Sequence, residues 1–202
     1  DGAPGTNTLA VVNFGPNDAF HAAEVSGEIA GDGSDLASVV QARQSARQAG
    51  RQAANAIYRN IVNLSSMNLN DFLLINLVDV GATPRFVGPS PLGVNSFGLS
   101  NGPCATLASG AFSTRLARNA DRLRDLGLDI FEVDLNSAFD DFLSNPADYG
   151  LSDSTSACGT YSYTDAFGLN YYDFSDATCD ETDIDGITAP FWAPRANRRS
   201  AG

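Results

Sequence analysis

Short apolar runs alternate along this chain with longer stretches of helically spaced apolar positions. The runs at 8–14 (TLAVVNF) and 72–78 (FLLINLV) lack the in-out alternation of a half-buried strand. Continuous apolar runs of this length, bounded by polar or Gly/Pro segments, are typical of parallel strands covered on both faces. Positions 128–135 alternate instead and predict a third strand.

The stretches between these strands predict two long helices. In 34–64 apolar residues recur every three or four positions, with Ser34 as the expected N-cap and Asp35 in the first turn. Gly50 is the weak point of this helix, because glycine has the lowest helix propensity after proline. Positions 106–126 show the same spacing and predict the second helix.

Two further features complete the predicted topology. Gly127 follows the second long helix as a C′ residue, and 136–143 predicts a short helix that stops at Asn145-Pro146. Alternating strands and helices predict an α/β fold of three layers, αβα, around a mostly parallel sheet. Such sheets carry function in the loops after the strands, here 15–18 and 79–86.

Charge narrows the range of partners. The net charge is −12, with 24 acidic residues against 12 arginines and no lysine. An acidic surface disfavours phosphate backbones, so nucleic acid is excluded as the expected partner. Arg43, Arg47 and Arg51 repeat every four residues, and we interpret them as a solvated stripe rather than a binding face. No apolar run is long enough for a transmembrane segment.

The three cysteines bear on the compartment. Cys158 and Cys179 flank a polar stretch rich in Tyr and Asp, and a disulfide between them would fit an oxidising environment. Three reduced thiols, with Cys104, are the alternative. The spacing does not match a metal site, and neither a metal nor another cofactor is expected.

The tetrapeptide Gly15-Pro16-Asn17-Asp18 follows the first predicted strand directly. An asparagine there can aim its amide N–H at a developing oxyanion, and Gly15 permits a tight turn. The alternative is an Asn/Asp turn that caps the next helix.

This tetrapeptide resembles the G-x-N-D block of the SGNH/GDSL hydrolase family, in its secreted lipase-like members. Further patterns follow in the family's order: D-x-G-x-x-P at 79–84, small-x-x-F-N/S-x-x-L at 109–116, D-L-x-x-x-F at 134–139, and a proline-aromatic-glycine turn at 145–150 with Cys158.

The resemblance implies a flavodoxin-like fold and hydrolysis of carboxylic esters, on small-molecule or lipid substrates. A serine attacks the carbonyl, a histidine oriented by an aspartate acts as base, and the block asparagine holds the oxyanion. Asn17 and Gly15 are the positions that carry over. A secreted or cell-envelope protein of bacterial type is implied as well.

Other family positions are not matched. Residues 1–7 contain no G-D-S-L block, so the first strand and its helix are expected to be missing. The single histidine, His21, lies too early to be the last-block base. Asp185 could be a remnant acid, with Thr188 at the histidine position. Alternatively, Phe191-Trp192 aligns with the aromatic pair before D-x-x-H.

Residues 1–192 are therefore interpreted as a partial hydrolase domain, and 193–202 as an atypical Arg/Ala-rich tail, expected to be disordered. The chain alone is expected to be inactive. A non-catalytic binding protein on the SGNH fold is the main alternative. An unrelated nucleotide-binding domain and a calcium-dependent protein have weaker support, and the oligomeric state is left open.

Overall fold

The computed structural model describes residues 8–31, 33–83, 86 and 102–150, together with two further backbone strands. In chain order the elements are β1 (Leu9–Val12), α1 (Pro16–Ala30), α2 (Leu36–Ser65), β2 (Asp71–Ile75), α3 (Gly102–Asp125), β3 (Asp129–Val133), α4 (Leu135–Ser144), β4 (Thr160–Thr164) and β5 (Asn170–Asp173). Short 3₁₀ turns occupy Val80–Ala82 and Pro146–Tyr149.

The central sheet is parallel, in the order β1-β2-β3, as the strand-helix alternation predicts. Val11 lies opposite Leu73, which lies opposite Phe131. The chain is thus an α/β protein. The expected extension of the second strand to 78 is wrong: the backbone N–H and C=O of Leu77 bond to the hydroxyl of Ser113, at 3.4 and 3.2 Å, instead of to a neighbouring strand.

Helices α1, α2 and α3 cover one face of this sheet. Phe72, Leu74 and Ile130 point into that face and are buried beneath the helices. On the opposite face Val11 and Phe131 are 59% and 55% exposed. The described residues therefore form two layers, helices on sheet, and the third layer of the predicted αβα sandwich stays a prediction.

Helix α2 begins one residue later than the sequence suggested. Asp35, not Ser34, is the N-cap, because its carboxylate accepts hydrogen bonds from the N–H groups of Ala37 and Ser38. Ionised aspartate is a strong acceptor at the positive end of a helix. The hydroxyl of Ser38 also donates to this carboxylate, at 2.6 Å. It is the largest contribution to holding the pKa of Asp35 below its usual range, and the two N–H bonds act in the same direction.

Gly50 is not a weak point but the place where α2 and α3 touch. A Cβ added at Gly50 would lie 2.1 Å from the carbonyl oxygen of Ala108. Only glycine allows the two backbones to approach this closely. The helices run side by side in the same direction, since Asn55 further along α2 meets Arg115 further along α3.

The end of α3 confirms the role predicted for Gly127. Its φ is +86°, and its N–H bonds to the carbonyl of Arg124 at 2.8 Å. The N–H of Leu128 reaches back to the carbonyl of Leu123 at 3.2 Å. This pair of bonds is the Schellman arrangement, and both leucines are buried, which fixes the direction in which the chain enters β3.

Three elements were not anticipated. Residues 16–30, treated as a loop followed by unassigned chain, form α1. The polar stretch between Cys158 and Cys179, for which no element was predicted, contains β4 and β5, which pair antiparallel.

The exposed side chains of α2 are mostly polar. Helix α2 has 30 residues, enough to cross a bilayer at about 1.5 Å per residue, but it carries four arginines. In the part of the chain that the structure describes, no helix is both long and apolar enough to span a membrane.

Candidate active site

The three parallel strands end at the same edge of the sheet, and the loops there hold most of the residues singled out by the sequence. After β1 come Gly15 and Asn17, after β2 comes Asp79, and after β3 comes Asp134. This edge is where parallel α/β sheets place their ligands.

Gly15 forms the exit from β1 and is held in place by α3. Its φ is +127°, a conformation that side chains rarely adopt. A Cβ there would also lie 2.9 Å from the ring of Phe112, which is 1% exposed. Two independent constraints thus require glycine, and the packed ring fixes the backbone from which α1 starts.

Asn17 lies in the first turn of α1 rather than in a loop, which corrects the sequence interpretation. The helix begins with Pro16, and its N-cap Gly15 has no side chain to cap the first N–H groups. The side chain of Asn17 is exposed and has no hydrogen-bond partner among the described residues. An amide donor beside an uncapped helix N-terminus favours a negatively charged oxygen.

His21 lies one turn after Asn17, at i+4, on the same exposed side of α1. This spacing puts the histidine near the candidate site on a rigid element. His21 does not occupy the position that the family pattern gives to the general base.

The D-x-G pattern after β2 has a structural role. The carboxylate of Asp79 accepts from the N–H of Gly81 at 2.9 Å and from the hydroxyl of Thr106 at 3.1 Å. A Cβ at Gly81 would lie 2.2 Å from that same hydroxyl oxygen. The aspartate caps the 3₁₀ turn, and the glycine lets α3 pack directly on it. Pro84 and Arg85 lie outside the described residues.

The pattern at 109–116 on α3 holds the same loop from inside. Ser109 is buried; its hydroxyl accepts from the N–H of Val80 at 3.2 Å and donates to the carbonyl of Ala105 at 2.9 Å. Ser113 bonds to the backbone of Leu77 as described above. The two serines therefore hold the segment after β2 by bonding to its backbone at Leu77 and Val80.

The loop after β3 is tied to the end of β2 through a residue that sequence reasoning missed. Asn76 donates from Nδ2 to Asp134 at 2.7 Å and accepts from the N–H of Asn136 at 3.1 Å. Asp134 also caps α4 by accepting from Ser137. The pKa of Asp134 is held below its usual range by the hydroxyl of Ser137 first and by the amide of Asn76 next.

Several other predicted positions cannot be compared with the structure. Asp185, Cys158, Cys179 and the 193–202 tail lie outside the described residues, so the remnant acid and the disulfide stay predictions. Cys104 is a buried free thiol whose pKa is raised by burial, against the charge of Arg43. Within the described ranges no group of three or more His, Cys, Asp or Glu side chains is arranged to hold a metal ion.

No family model matches the chain, and no curated protein matches it significantly.

Proposed function

We propose that this chain carries the oxyanion-binding part of an SGNH-type carboxylic ester hydrolase. The observation that carries the proposal is the arrangement of Gly15 and Asn17. A glycine with φ +127°, packed on Phe112, starts an uncapped helix whose first turn presents an exposed asparagine amide. The side chain of Asn17, like that of Asp18 beside it, has no hydrogen-bond partner in the described chain, and of these two Asn17 is the one that carries a donor.

The chemistry follows from the position of that amide. When a nucleophile adds to an ester carbonyl, the oxygen becomes negatively charged, and a donor already fixed in place stabilises it without reorganisation. Asn17 would donate from Nδ2, and the partial positive charge at the start of α1 would add to its effect. The nucleophile and base would lie on polypeptide that these 202 residues do not contain.

One face of the sheet is covered by no described helix, and this supports the same proposal. Strands β1, β2 and β3 follow one another in one direction, and right-handed crossovers put all their connecting helices on one face. A doubly wound sheet continues beyond β1 in the opposite direction, with helices on the other face, and binds ligands at that reversal. Leu9 and Val11 would then be covered, and Asn17 would lie at the reversal.

The chain is expected to hydrolyse no p-nitrophenyl ester by itself and to resist labelling by a fluorophosphonate serine reagent. When the chain is expressed together with the polypeptide encoded by the adjoining sequence, the resulting protein should hydrolyse short p-nitrophenyl esters. There Asn17→Ala should lower kcat by about 100- to 1000-fold with little change in KM.

Asn60→Ala is the matched control, since Asn60 is an exposed helical asparagine far along α2. Equal kcat values for the Asn17 and Asn60 variants would refute the oxyanion role. If the adjoining sequence contains no serine block and the protein shows no esterase activity, the alternative of a non-catalytic binding protein on the same scaffold is favoured.

A compartment follows from the proposal. A secreted or cell-envelope enzyme would form the Cys158–Cys179 bridge, and mass spectrometry of tryptic peptides without reduction would detect it. Free thiols at both positions in protein purified from its native compartment would contradict this placement.

A further inference from the structure

A shallow groove between α2 and α3 collects positive charge in a strongly acidic protein. It measures about 360 Å³, and four arginines line it: Arg47 and Arg51 from α2, Arg115 and Arg118 from α3. No Asp or Glu is among the lining residues. All of them lie on α2 or α3, and Asn17 is not among them; at one end Thr106 also donates to Asp79 in the loop after β2.

Among the described residues these arginines have no ion partner, although acidic residues outnumber basic ones by 24 to 12 in the sequence. Within the described part of the chain, Arg124 forms ion pairs, to Asp121 and Glu132, whereas none of the groove arginines does. Helix α2 contains no acidic residue at all. Like charges three or four residues apart on a helix destabilise it, so a balanced surface would have been more stable.

The groove also has elements of a prepared binding surface. Arg115 is half-buried, and its Nε donates to Asn55 Oδ1 at 2.7 Å, which orients the guanidinium and leaves its terminal nitrogens available. Thr114, a residue with a hydroxyl group, lines the same concavity. Gly110 provides an open floor, because a Cβ added there would meet nothing within 4 Å.

We infer that this groove binds a small polyvalent oxyanion, a ligand with two or more phosphate or carboxylate groups. Guanidinium groups recognise such oxygens through paired, charge-assisted hydrogen bonds. The volume suits a small molecule. The net charge of −12 disfavours a long polyanion, whose remaining charges would meet acidic surface. The stripe of Arg47 and Arg51 is then one wall of a site rather than a solvated face.

Calorimetric titration at constant ionic strength tests this with inorganic tripolyphosphate and with citrate, which separate phosphate from carboxylate ligands. Saturable binding of either is expected. The double variant Arg51→Gln/Arg118→Gln should weaken binding by at least about tenfold. The control double variant Arg59→Gln/Arg122→Gln removes the same charge from exposed positions of the same helices and should bind as the parent does.

Gly110→Glu provides a second test, because it introduces a carboxylate into the open floor without a steric clash. It should abolish binding while the circular dichroism spectrum and urea midpoint show a folded protein. The inference is overturned if neither anion binds saturably, if both double variants weaken binding equally, or if Gly110→Glu binds like the parent.

Discussion

The same substitution, glycine to alanine, is expected to have opposite effects at two positions of the helix pair. In the interior of a helix alanine is favoured over glycine by about 1 kcal/mol. At Gly110 the added Cβ meets nothing within 4 Å, so that preference should be realised. At Gly50 the Cβ would lie 2.1 Å from a backbone oxygen, and 3.0 Å from the backbone nitrogen of Phe112.

The size of the effect at Gly50 follows from what must move. Ordinary contact requires α2 to retreat from α3 by about 1 Å, since the obstacle is backbone and has no other rotamer. Overpacking of this kind costs about 3 kcal/mol, the upper end of its usual range. After subtracting the propensity gain, Gly50→Ala should destabilise by about 2 kcal/mol, and Gly110→Ala should stabilise by about 0.5 to 1 kcal/mol.

Urea unfolding followed by far-ultraviolet circular dichroism measures both variants beside the parent. Equal slopes with shifted midpoints would show that stability changed and not the extent of unfolding. A Gly50→Ala midpoint at or above that of the parent would refute the close packing of α2 on α3. A Gly110→Ala variant less stable than Gly50→Ala would refute the assignment of the open and closed sides of the helices.

Two further outcomes are expected. Phe72→Ala should destabilise by about 3 to 5 kcal/mol, whereas Phe131→Ala on the uncovered face should cost under about 1 kcal/mol in the same urea assay; comparable losses would contradict the one-sided core. Asn76→Ala should cost about 1 kcal/mol and raise the pKa of Asp134, followed by carboxyl carbon NMR. Folding lowers the pKa of Asp134, so the stability that its carboxylate contributes is complete above the pKa of the unfolded chain and disappears as the pH falls through the pKa of the folded protein. The variant lacks part of this contribution and should therefore lose less stability on acidification. An unchanged Asp134 pKa would show that Asn76 does not act on it.

The sequence predicted elements well where hydrophobic contrast was strong. The apolar runs became β1 and β2, and the two stretches of helical spacing became α2 and α3. Helix α1 was missed because it buries mostly small residues, with Ala19, Ala23 and Gly27 on its inner side. Small residues permit close packing but give little contrast between the inner and outer sides, so the pattern was weak.

Tertiary contacts decided the remaining details, and local sequence does not contain them. The interpretation of Gly50 changed because Ala108 lies against it, and β2 ends early because Ser113 reaches its backbone. The role of Asn76 could not be recognised from the sequence, since its two partners, Asp134 and Asn136, are about sixty residues away. A polar residue at the end of a buried strand was the one available signal.

The geometry separates two kinds of residue within the patterns that resemble the SGNH family. Asp79, Ser109 and Asp134 use their oxygens to hold loops and helix ends together, so matching them is evidence for a scaffold and says little about chemistry. Asn17 differs, because its amide has no structural partner in the described chain and stands at an uncapped helix start. If the fold needed that side chain, its replacement would change stability; if the chemistry needs it, replacement changes kcat alone. Measuring both quantities on Asn17→Ala therefore tests the ester-hydrolase proposal at a residue where scaffold and catalysis make different demands.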